Sequence, residues 1–201
     1  MTLRRPAFAP PQRLPRRRAL AGWLAASLLV TALGSQGAPA AQANGVELRT
    51  LDVVRQDNAL LLNFIVQPNL SRAVEDAMQR GIPLYFEAQA TVYRPRWYWR
   101  DERVARATRV WRLAYQPLTS SWRISLGALN QTVATAQEAL DMVSRTVGWK
   151  IAEADQVEAG DKYYIEFSYR LDSTQLPRPM QLDLAAQADW RLQVERTLRL
   201  D

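Results

Sequence analysis

Cysteine and histidine are both missing from the 201 residues. Without them there is no disulfide framework, no thiol nucleophile, no Ser-His-Asp triad and no zinc site of the usual kind. No cofactor and no metal are expected. Lysine is almost missing too. Lys150 and Lys162 stand outside any Ser-x-x-Lys spacing, so they suggest strand starts rather than a serine–lysine dyad. After residue 43, glycine occurs only at Gly45, Gly81, Gly127, Gly148 and Gly160, each where an element should end or turn. Residues 44–201 contain no linker-like stretch, low-complexity segment or repeat, and are read as one domain.

The chain carries 26 Lys+Arg against 20 Asp+Glu, a formal charge of +6. The excess belongs to one end. Arg4, Arg5, Arg13, Arg16, Arg17 and Arg18 fall in the first 43 residues, which hold no acid. The rest is neutral, which argues against nucleic acid as a partner of the folded part.

Those 43 residues have the plan of a secretory signal. An arginine- and proline-rich start leads into an apolar run, Ala19 to Leu33. Ala41-Gln42-Ala43 then offers a cut between Ala43 and Asn44, with an earlier one after Ala40 as the alternative. The apolar run is short for a span, which needs ~20 residues. Cleavage and a periplasmic location are therefore expected, the alternative being an inner-membrane anchor through residues 19–33. Membrane contact is expected only through this segment, if it is uncleaved. Sec and twin-arginine routes both remain open.

Alternation of apolar and polar residues dominates the remainder. Tyr163, Ile165, Phe167, Tyr169 and Leu171 share one face, as do Leu84, Phe86, Ala88, Ala90 and Val92. Shorter cases are Trp122–Leu126 and Trp190–Val194. The run from Leu60 to Val66 is apolar almost throughout and predicts a strand covered on both faces. Asp57-Asn58 predicts a hairpin with the strand around Leu48 to Val54. Two helices are predicted. One carries Leu70, Val74, Ala77 and Met78 and ends at Gly81. The other starts at the Thr135/Glu138 capping box, continues through Val143 and Val147, and ends at Gly148. Residues 101–116 fit a helix or a strand. The strand is preferred, in a hairpin with 84–94. The expected fold is mainly β, with α+β as the variant: an antiparallel sandwich or half-barrel of about eight strands with two short helices.

Three phrases carry a family resemblance. Gly81-Ile82-Pro83-Leu84-Tyr85-Phe86 precedes Arg94-Pro95-Arg96-Trp97-Tyr98-Trp99. Arg112-Leu113-Ala114-Tyr115 precedes Leu118-Thr119, and Leu171-Asp172-Ser173-Thr174-Gln175-Leu176-Pro177-Arg178-Pro179 precedes Asp189-Trp190. Their order resembles a proteobacterial family of exported proteins known as domain of unknown function 4390. The resemblance implies a Gram-negative envelope protein and a functional link to a sensor histidine kinase. It brings no catalytic residue with it.

Chemistry has few places to reside. Between Tyr93 and Tyr115 stand seven arginines (94, 96, 100, 103, 106, 109, 112) against Asp101 and Glu102, interleaved with Trp97, Tyr98, Trp99 and Trp111. Guanidinium forks beside aromatic faces suit an anionic envelope component or an acidic protein. The plainer reading is a solvated hairpin face with its tryptophans bent over the core. Asp101/Glu102, Glu153/Asp155 and Glu158/Asp161 are the acid pairs from which a glycan hydrolase would be built, although such pairs usually sit in solvated loops. Leu176-Pro177-Arg178-Pro179 is read as a rigid connection. The preferred function is a non-enzymatic binding module for an envelope protein or anionic component. Its candidate site is a hairpin tip of Arg96, Trp97, Trp99 and Arg100. The alternative is a cell-wall or glycan hydrolase using a carboxylate pair.

Overall fold

The structure is a computed structural model and describes residues 45–56, 59–158, 162–176 and 188–200. They belong to one compact unit, residues 41–201. The apolar run 19–33 and the Ala43–Asn44 cut lie outside the described residues. So do Asp57-Asn58, Asp161 and the connection after Leu176. Among the described residues no helix is long and apolar enough to cross a membrane.

Nine strands form two antiparallel sheets among the described residues. The smaller sheet contains β1 (Gly45–Gln56), β2 (Ala59–Asn69) and β7 (Arg145–Glu153), in the order β1-β2-β7. The larger runs β6-β5-β4-β3-β8-β9. Its strands are β3 (Leu84–Arg94), β4 (Glu102–Gln116), β5 (Ser121–Leu126), β6 (Leu129–Val133), β8 (Tyr163–Leu171) and β9 (Gln193–Leu200). The sheets lie face to face and do not close into a barrel. The expected mainly β antiparallel fold, sandwich or half-barrel, thus holds, with its two helices.

Alternation builds the core because successive side chains leave a strand on opposite faces. The inward sets of β3 and β8 are buried as predicted. Phe64 on β2 sits at their centre. Its ring lies 5.0 Å from Phe167, 6.0 Å from Tyr169 and 6.3 Å from both Trp111 and Trp149. Burying a ring of this size contributes roughly 2–3 kcal/mol. The Tyr169 hydroxyl donates to the Val143 carbonyl at 3.2 Å, which ties the second helix to this core. Burial pushes that phenol's pKa upward.

Both predicted helices form, with shifted ends. α1 (Arg72–Gln79) is capped by the Ser71 hydroxyl, and Leu70 precedes it. At its end Gly81, φ 82°, donates to the Met78 carbonyl and Ile82 to Ala77, the pattern of a left-handed helix stop. α2 (Ala136–Ser144) has the predicted capping box. It does not continue to Val147. The chain passes directly into β7, where Val147 is 75% exposed. Gly148, φ 64°, is a bulge residue rather than a helix stop. Two residues oppose Asn63, and the Gly148 N–H donates to the Asn63 Oδ1 at 2.7 Å.

Other expectations also shift. β2 is deeply buried on one face only, since Leu61, Asn63 and Ile65 on the other are half-buried. Trp190 and Leu192 are buried but precede β9, Trp190 in a short 3₁₀ turn. Lys150 lies inside β7, paired with Glu153 at 2.7 Å, and is not a strand start. β1 and β2 pair down to Gln56–Ala59, as a hairpin requires.

Candidate functional site

Residues 102–116 are a strand, and they pair with β3 along its whole length. The connection is therefore residues 95–101, shorter than strands of 84–94 and 104–116 would leave, yet longer than the usual two to five. Trp97, Tyr98 and Trp99 stand on it at 93%, 68% and 73% exposure. They do not bend over the core. Trp97 and Tyr98 meet edge to face with centroids 4.8 Å apart.

Asp101 braces this connection. Its Oδ1 accepts the Arg96 N–H at 3.1 Å, and its Oδ2 accepts the Tyr164 hydroxyl at 2.6 Å. Both bonds favour the ionised acid, so the Tyr164 hydroxyl first, then the Arg96 amide, hold its pKa below the ordinary carboxylate value. The same bond to Asp101 raises the pKa of Tyr164. Tyr164 also stacks on Tyr93, centroids 5.2 Å apart and 18° between planes. The Arg96 guanidinium reaches Glu102 at 2.5 Å.

The seven arginines do not make one face. Arg94 lies over the Tyr163 ring at 5.5 Å, donates to its hydroxyl at 3.1 Å and pairs with Glu158 at 3.4 Å. Arg100 is exposed at the tip, and Arg103, Arg106 and Arg112 are exposed along β4. Arg109 points inward instead, over the Trp149 ring at 5.4 Å. Partial desolvation there lowers its pKa. Its parity with Trp111 and Leu113 was the readable signal. Beside the tip, Pro95, Lys162, Tyr163, Tyr164, Arg199 and Leu200 line a groove of about 400 Å³. Of its lining residues, Tyr164 is the one bonded to the tip through Asp101.

Of the acid pairs, Asp101 and Glu102 serve as braces, Glu153 is paired with Lys150, and Glu158 with Arg94. Two acids that sequence reading passed over, Glu166 and Glu195, share a shallow concavity with Gln89 and Arg196 on the outer face of the larger sheet. Among the described residues no cluster of acids could hold a metal ion.

Asp172 organises the third sequence phrase. It is buried, and its Oδ1 accepts the Thr174 N–H at 3.1 Å and the Thr174 hydroxyl at 2.6 Å. Its own N–H donates to the Tyr85 carbonyl at 2.7 Å, so this phrase closes the end of β8 against β3.

No curated protein and no solved structure matches the chain. A family model covers residues 43–199, and the chain belongs to that family, described as Domain of unknown function (DUF4390).

Proposed function

We propose that this protein is a non-enzymatic binding module, exported to the periplasm by its leader, and that Arg96, Trp97, Trp99 and Arg100 meet its partner. One observation carries the reading: a connection held from within by Asp101 presents three large rings to solvent. Exposed apolar surface is unfavourable by ~25 cal/mol per Å². A braced loop also loses little further freedom when it binds. Aromatic and arginine side chains are the types enriched among interface hot spots. The partner is an envelope protein or an anionic envelope component.

Replacing Trp97 and Trp99 together with alanine tests this reading. Capture of the partner from envelope extract is lost while the melting temperature stays within a few degrees. Unchanged capture by a folded double variant overturns it.

The hydrolase reading has one observation in its favour, the shared concavity of Glu166 and Glu195. It predicts release of soluble glycan from purified cell wall, abolished by Glu166→Gln or Glu195→Gln. The absence of any release from the unaltered protein rejects it.

A further inference from the structure

β4 is paired on one side for most of its length and on the other for less than half. β3 covers Glu102 to Leu113, whereas β5 pairs only with residues 111–116. Over residues 102–110 the far edge of β4 has no hydrogen-bonded strand among the described residues, although β7 packs nearby through Trp149 and Arg109. Such an edge is a template for another strand, and proteins usually shorten, bulge or cover it.

The direction of its backbone groups follows from the pairing. Gly127, φ 56°, opens a two-residue turn joining Leu126 to Leu129, and such turns close on a hydrogen-bonded pair. Counting back alternately through β5, residues 112, 114 and 116 turn their N–H and C=O towards β5. Residues 106, 108 and 110 then turn theirs towards the open side. An independent bond agrees: Tyr85 accepts from Asp172 on the β8 side, which leaves Phe86 facing β4 and Trp111 facing β3. Arg106, Thr108 and Val110 thus offer an unclaimed ladder.

Charge and shape say what fits it. Arg103, Arg106 and Arg109 have no carboxylate partner among the described residues, and Arg106 is bonded only to Gln89. Where the open stretch meets β5, Arg109 lines a groove of about 360 Å³ together with the apolar Trp111, Leu126 and Met142 and the cation Arg145. Leu129 and Val147, 71% and 75% exposed, line it as well. A second copy presenting this same edge would set arginine against arginine.

We propose that the open edge of β4 takes up an added strand from a partner protein, an extended segment alternating acidic and apolar residues, with one apolar side chain in the groove beside Arg109. Its backbone completes the ladder at Arg106, Thr108 and Val110, as in other strand additions. Its outward carboxylates face Arg103 and Arg106. This rests on the binding-module reading, but not on the tip.

The probe is a synthetic peptide of about eight alternating valine and glutamate residues, a length within the usual strand range. It is added to the full chain and followed by fluorescence anisotropy and by amide exchange. The peptide binds, more weakly as salt rises, and slows exchange at residues 106, 108 and 110. Methylating its backbone nitrogens abolishes binding with no change to the protein. Thr108→Pro removes one open-side N–H, leaves the β3 ladder intact and weakens binding about tenfold or more. If that variant does not fold, the methylated peptide decides. The Trp97/Trp99 alanine variant binds the peptide unchanged, so tip and edge can fail separately. No binding, equal binding of the methylated peptide, or protection of the three amides by self-association alone overturns the proposal.

Discussion

Asp101 and Tyr164 join the start of β4 to β8 through a hydrogen bond of 2.6 Å. The same carboxylate holds the Arg96 backbone, so this one acid fixes how the tip leaves the sheet. Its pKa is lowered from an ordinary value of about 3.9. The link is therefore present above that value and is lost as pH falls through the lowered one. Carbon-detected NMR titration of Asp101 checks this. Its midpoint lies below the ordinary range in the native protein and rises towards it in Tyr164→Phe, with the Arg96 amide keeping part of the effect. A midpoint unmoved by Tyr164→Phe contradicts the assignment.

Phe64 and the tip rings make opposite predictions although all are aromatic. Phe64→Ala opens a cavity against Trp111, Trp149, Phe167 and Tyr169 and costs about 3–5 kcal/mol in urea unfolding. The Trp97 and Trp99 substitutions remove rings that touch little of the domain, so they fall within about 0.5 kcal/mol of neutral. Equal losses at both places would mean that the tip is part of the core.

Gly148 predicts a purely conformational effect. An added Cβ meets nothing within 4 Å, but the backbone stands at φ 64°. Gly148→Ala should therefore destabilise by about 1 kcal/mol through backbone strain alone. Asn63→Ala, which removes the acceptor of the Gly148 N–H, should act on the same bulge, so the two effects are not additive. Strict additivity in a double-mutant cycle would separate the bulge from Asn63.

Where one face of a strand is buried, its period was readable, and β3 and β8 were legible residue by residue. The start of α2 was legible for the same local reason, since a capping box is complete within four residues, whereas the Ser71 cap of α1 has Val74 at its third position and Leu70 was read into the helix. β7 was hidden because Val147 prolongs a helical stripe and Gly148 matches a helix stop, while the bulge opposite Asn63 is a long-range event. β6, Leu129–Val133, is almost wholly exposed and shows no apolar period. At the tip, composition alone drew attention to Trp97 and Trp99. It could not show that Asp101 and Tyr164 brace them, because those two residues meet only through the β3–β8 pairing. The open edge of β4 depends on where β5 ends, which no local pattern along β4 records.

Site-specific photo-crosslinking in the native envelope tests the central claim most directly. A photoreactive residue is placed at Trp97 in one strain and at Leu118, an equally exposed apolar position, in another. The binding-module account predicts one discrete adduct from position 97 and none from position 118. No adduct from position 97, or the same pattern from both, would contradict it.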